Sequence, residues 1–145
     1  MDDVLAIHAE NSFTYVVDDL NSMVEEGASV YNIRHRAFYF SRDIVLFIGK
    51  QEYERIHFSI FDQLLRSSTS IGANLVEGLA GASKNDFLKF NIIALKSANE
   101  TKYWLSLIKE TLNIEKAALV KFIVEAEEIS KIIASIIINT KNNNE

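Results

Sequence analysis

The chain has 145 residues, with 15 Lys and Arg against 20 Asp and Glu, five glycines, no proline and no cysteine. That length fits one domain, and so little proline and glycine leaves little loop, so the chain reads as all-α. The missing thiols exclude a disulfide framework and thiolate metal sites and fit a reducing cytoplasm, while the acidic Met1-Asp2-Asp3 start and the lack of an apolar run near ~18 residues argue against a signal peptide and a membrane span.

Charge is unevenly spread. Residues 1–30 hold seven acids and no Lys or Arg, whereas the remainder holds 13 acids and 15 bases. A mildly basic body therefore follows an acidic leader, a balance that argues against strong phosphate binding by net charge alone. Within the leader, Phe13, Val16, Val17, Leu20, Met23 and Val24 fall at helical spacing between a Ser12 cap and Gly27. They predict a short helix. It packs across the bundle, frays from it, or serves as an acidic arm that docks on a partner.

Residues 29–48 predict the first bundle helix, with Val30, Ile33, Ala37, Ile44 and Ile48 on one stripe and Tyr31, Phe38 and Val45 beside it. Phe40 and Phe47 fall off both, an arc wider than one seam needs. After a polar connection, Ser59-Ile60-Phe61-Asp62 has the form of a capping box and opens a second helix to about Leu79. Its middle, Ser67 to Ala73, has poor helix propensity, so tertiary contacts must hold it; small side chains there let another helix approach closely. Gly78 to Ala82 is read as the turn. Ser83-Lys84-Asn85-Asp86 caps a third helix reaching Leu112, and a fourth runs from Glu115 to Ile138. The expected organisation is an N-terminal extension over residues 1–29, an antiparallel up-down-up-down four-helix bundle over 30–140 and a frayed polar tail over 141–145. Ile93, Trp104, Ile132 and Ile138 also lie off the main stripes, and with Phe40 and Phe47 they predict apolar surface for self-association.

Two polar groupings are candidate sites. The short turn makes the second and third helices antiparallel neighbours, and counting outward from Gly81 places Glu100 within one turn of Arg66. A pair in which Arg66 donates to the Glu100 carboxylate is expected, with Gln63 and Asn99 alongside and Asn74, Glu77 and Ser97 toward the turn. No His, Cys or Ser nucleophile pairing accompanies them, so they read as register-fixing groups before they read as a carboxylate-amide site. The second grouping is Arg34, His35, Arg36 and Arg42, interleaved with Phe38, Tyr39 and Phe40. It has the composition of a nucleic-acid patch, although one solvated and one packed helix face gives the same pattern. Glu54-Arg55-Ile56-His57 is a single Glu-x-x-His where a di-iron bundle needs two. No Gly-rich phosphate loop occurs, and no Arg is followed four to six residues later by His. No enzymatic centre, cofactor or metal is expected.

The strings Gln63-Leu64-x-Arg66, Ser70-Ile71-x-Ala73-Asn74-x-x-Glu77-Gly78 and Ser97-Ala98-Asn99-Glu100 resemble the central hairpin of the four-helix-bundle proteins encoded in intervening sequences of large-subunit (23S) rRNA genes. The resemblance covers residues 30 to 140. It implies a left-handed bundle assembled in rings of five and, for most members, no known activity. The accessory variability determinants of diversity-generating retroelements are similar in fold and assembly, which implies as alternatives a nucleic-acid ligand or a reverse-transcriptase partner. The chain departs from the family pattern in having Gly72 where proline is usual, in lacking Phe-Pro before the second helix, and in its acidic leader.

Overall fold

A computed structural model describes residues 28–143, with side chains described from Ile33 onward; the expected helix over residues 13–24 lies outside the described residues. Four long helices follow in order: α1 (Ala28–Gly49), α2 (Phe58–Ala80), α3 (Lys84–Thr111) and α4 (Lys116–Asn142). A 3-10 turn, Arg55–His57, leads into α2. Every regular element among the described residues is helical, as the sequence predicts. Helix α4 runs to Asn142, so the tail expected to fray from residue 141 begins as helix.

Each helix buries the residues that recur at three- and four-residue spacing. Ile33, Ala37 and Ile44 meet Phe61, Leu64, Ile71 and Leu75, then Ala94, Ala98, Leu105 and Ile108, and finally Leu119, Ala126, Ile129 and Ile133. Where α1 crosses α2, Ala37 lies over Gly72, and the Ser41 hydroxyl reaches the Ser68 carbonyl at 3.1 Å. Between α2 and α3, Gly78 lies against Phe90, Ser70 against Ser97 and Ser67 against Thr101. Between α1 and α4, Arg36 meets Glu125 and Phe40 meets Phe122. Along each of these seams residue numbers rise on one helix as they fall on the other, the pattern of antiparallel neighbours.

The expected surface role of Phe40 and Phe47 is corrected. Phe40 is buried, Phe47 is half-buried on the core, and both rings meet the edge of Phe122. Trp104 and Ile132 are likewise half-buried against the core, and of the six off-stripe residues Ile138 alone is largely exposed. The wide arc of α1 is explained within one chain, because α1 contacts both α2 and α4.

One predicted cap holds and one does not. The Ser83 hydroxyl accepts from the Asp86 amide at 3.2 Å and starts α3. Ser59 caps nothing: α2 begins one residue earlier, behind His57, and Asp62 instead accepts from Arg66 one turn on. The 3-10 turn brings the chain into α2 in near-helical geometry, so no extended residue is left there for a side-chain cap. At the α2–α3 turn, a Cβ on Gly81 would stand 2.9 Å from the Asp86 Cβ, which explains a glycine in so tight a connection.

Helix α2 runs unbroken through Gly72, where a Cβ would find Ala37 at an ordinary 3.6 Å. The close approach of α1 therefore does not require glycine. Gly72→Ala is expected to stabilise the protein by about 0.5–1 kcal/mol, the usual gain from removing glycine from a helix interior. Urea denaturation measures it, and a lower midpoint would show that α1 cannot accommodate the methyl group.

Candidate functional site

The most distinctive polar feature is the seam between α2 and α3. Ser67 and Thr101 share a hydroxyl–hydroxyl bond of 3.0 Å, and Thr101 also donates to the Ser97 carbonyl at 2.7 Å. One turn toward the loop, Ser97 donates to the Ser70 hydroxyl at 2.9 Å. The Asn74 carboxamide donates to both the carbonyl and the hydroxyl of Ser70, at 2.8 and 2.9 Å. Ser67, Ser97 and Thr101 are buried. The arrangement follows from the run Ser67 to Ser70, whose hydroxyls bond carbonyls of their own helix or hydroxyls of α3, so the low helix propensity is offset by tertiary bonds. Nearer the turn, buried Asn91 donates to the Phe87 carbonyl at 2.8 Å.

Of the expected polar residues, Asn74 and Ser97 belong to this seam and the charged ones do not. The Arg66–Glu100 pair is not made. Arg66 donates through Nε to Asp62 at 2.9 Å on its own helix, and Glu100 accepts from the Trp104 indole at 3.1 Å on its own. Both are exposed, as are Glu77 and Asn99, while Gln63 is half-buried. The level of Arg66 was also misjudged. Ser97 faces Ser70, a full turn along α2 from Arg66, because the facing pairs are centred beyond Gly81, inside the first turn of α3. Each charged group has a partner four residues away, so reaching across the seam gains nothing. With side chains 73% and 54% exposed, the Arg66–Asp62 pair is expected to contribute little. Arg66→Ala should lower stability by at most ~0.5 kcal/mol, and a loss of several kcal/mol on denaturation would restore the cross-helix pair.

The hydrogen-bonding role of Ser67, Ser70, Thr101 and Asn91 escaped the sequence reading. Their signal was available: Ser67 and Ser70 are three apart and Ser97 and Thr101 four apart, so each pair shares one helix face. The seam holds only hydroxyls and carboxamides, with no base or cation bonded to any hydroxyl. Such a set fixes register and does not activate a nucleophile.

The four basic residues of α1 do not form one face. Arg34 is buried beside α2, and its desolvation pushes the guanidinium pKa down. Arg36 turns the other way onto α4, where its Nη2 donates to Glu125 at 2.8 Å; that bond pushes the Arg36 pKa up. Arg42 points outward, lies 4.5 Å over the Tyr39 ring and donates to Asp43 at 2.9 Å. His35 packs against the edge of the same tyrosine. Successive residues on a helix diverge by about 100°, and this separates a cluster that looked continuous along the chain. On α4, Glu127 accepts from Lys102 at 2.6 Å, which holds its carboxyl below the usual range.

Glu54 precedes the 3-10 turn as its N-cap and His57 ends it, and no group of three or more His, Cys, Asp and Glu gathers among the described residues. No helix among them is long and apolar enough to cross a membrane.

Residues 30–135 match the family described as 23S rRNA-intervening sequence protein. The chain belongs to that family. The matched stretch spans all of the hydroxyl seam and most of the bundle, and the acidic leader precedes it. A crystal structure of a protein of unknown function from the S23 ribosomal protein family of Bacteroides thetaiotaomicron VPI-5482 is similar to the chain, with 36% identity and a TM-score of 0.70. The alignment covers 75% of this chain and 97% of that one. No curated protein matches.

Proposed function

We propose that this member of the family is a non-enzymatic interaction protein that assembles with copies of itself. The observation that carries the reading is a short apolar stripe on the outward face of α4, Val120 and Val124 at 46% and 57% exposed, with Ile138, 56% exposed, on the same side farther along, beyond exposed Lys131 and Ser135. They share one side of the helix, opposite the face that Leu119, Ala126, Ile129 and Ile133 bury in the core. A repeated contact with a second copy hides such a stripe on every subunit. The family resemblance supplies five as the number of copies to test.

The polar residues support the non-enzymatic part. Ser97 bonds across the α2–α3 seam, Arg66, Asn74 and Glu100 bond within their own helices, and none of these bonds joins a hydroxyl to a base or a cation. A nucleic-acid role is the less favoured alternative, since Arg36 and Arg42 both carry carboxylate partners and the basic residues diverge. Titrating structured RNA in a gel shift separates the two. The interaction-protein reading expects no complex at ~150 mM salt, whereas a complex that weakens steeply as salt rises would replace it with the nucleic-acid reading.

A further inference from the structure

A pocket of about 560 Å³ lies where the α1–α2 connection meets α2. Tyr53, Phe58, Phe61 and Leu65 make it largely apolar, and Asp62 is the one charged residue in its lining. Tyr53 stacks on Phe61 and meets the edge of Phe58, so the pocket holds its shape within one chain. Phe58 is still 56% exposed, and Ile56 in the turn before it is 77% exposed. Asp62 uses only Oδ2 for Arg66, and its side chain is 54% exposed.

The stripe of Val120 and Val124 carries the opposite sign. Lys116 and Lys121 flank it, both exposed, and neither joins an ion pair among the described residues. Asp43 and Glu125, which line a groove with Lys121, hold Arg42 and Arg36. Were the stripe to meet itself about a twofold axis between Val120 and Val124, the two Lys121 ammoniums would come together, a costly like-charge contact.

The two surfaces are placed to meet between copies. Helices α2 and α4 stand at opposite corners of the bundle, each packed on α1 and α3. Both start at the same end, because each is antiparallel to α1. At 1.5 Å per residue, Val120, Lys121 and Val124 lie about 6–12 Å into α4, and Asp62 and Leu65 about 6–11 Å into α2. Rotation about an axis parallel to the bundle preserves height and direction. It therefore sets Lys121 of one copy level with Asp62 of the next, and Val124 level with Leu65.

We propose that the α4 stripe of each copy seats in the α1–α2 corner pocket of the next, with Val120 and Val124 on Phe58 and Leu65 and Lys121 donating to Asp62. The contact rests on the self-association reading above and gives it a partner surface. It joins two different faces, head to tail, at matched height, the arrangement that closes into a ring.

Mixing two defective chains tests this. V120E/V124K keeps the pocket and loses the stripe; Phe58→Asp keeps the stripe and loses the pocket. Each alone should sediment as one 16.4 kDa chain with unchanged circular dichroism. Mixed in equal amounts at ~0.1 mM, high because a single contact lacks ring avidity, they should form a complex of one chain of each and nothing larger. No complex from the mixture, or full-size assembly by Phe58→Asp alone, would overturn this contact, and if the unmodified chain assembles the self-association reading survives. A single-chain mass for the unmodified protein would overturn both. A second readout leaves both surfaces nearly intact, since the chain has no cysteine of its own. Val124→Cys with Leu65→Cys in one chain, treated with a short bismaleimide, should give covalent products of more than two chains. Absence of those products, or a two-chain product from Val124→Cys alone, would overturn the head-to-tail contact.

Discussion

V120E/V124K is expected to reduce the assembled protein to single chains without loss of helix. Val120 and Val124 are about half exposed in one chain, so replacing them removes little from the bundle itself. The new carboxylate and ammonium stand one turn apart in the favourable order and should stabilise α4 by roughly 0.3–0.5 kcal/mol. Against another copy the same pair must lose water, which costs several kcal/mol unless new partners meet it. The two effects have opposite sign, and that makes the variant informative. Its mass in solution should fall to the 16.4 kDa of one chain, with circular dichroism unchanged. An assembly that persists at full size would move the contact away from this stripe.

Phe61→Ala should be the most damaging single change in the bundle. Phe61 is 1% exposed, and its ring stacks on Tyr53, with centroids 4.0 Å apart and planes 21° from parallel. Tyr53 also meets the edge of Phe58, so Phe61 anchors the connection between α1 and α2 to the core. Truncation leaves a cavity and releases the connection, at an expected cost of about 3–5 kcal/mol. That is a large fraction of the ~5–15 kcal/mol stability usual for a domain. Because self-association, as proposed, would contribute to apparent stability, the comparison belongs at fixed protein concentration. Phe61→Leu, which keeps most of the volume, should cost less than ~1.5 kcal/mol. Urea midpoints for the two variants within experimental error of each other would contradict the account of this corner.

Much of the fold was legible because helix periodicity is a local property. The first bundle helix expected over 29–48 is observed as Ala28–Gly49, and the Ser83 cap opens α3 as predicted. What failed depended on three dimensions. Phe40 and Phe47 looked surplus because a stripe on one helix does not reveal that Phe122 of α4 receives both rings. Arg66 and Glu100 looked like partners because level-counting ignores the closer carboxylate and indole on their own helices. The small residues between Ser67 and Ala73 were read correctly as a place of close approach, but the hydrogen bonds joining Ser70 to Ser97 and Ser67 to Thr101 needed the observed register. Val120 and Val124 escaped notice for a different reason: their outward position is defined only once the buried face of α4 is known.

Self-association of the unmodified chain is the central claim, and multi-angle light scattering over a dilution series into low micromolar concentration tests it most directly. The account predicts a monodisperse mass of five times the 16.4 kDa chain, stable across the series. A stable mass of two chains would contradict the five-fold assembly while keeping the interface, and a monodisperse mass of one chain would contradict self-association itself.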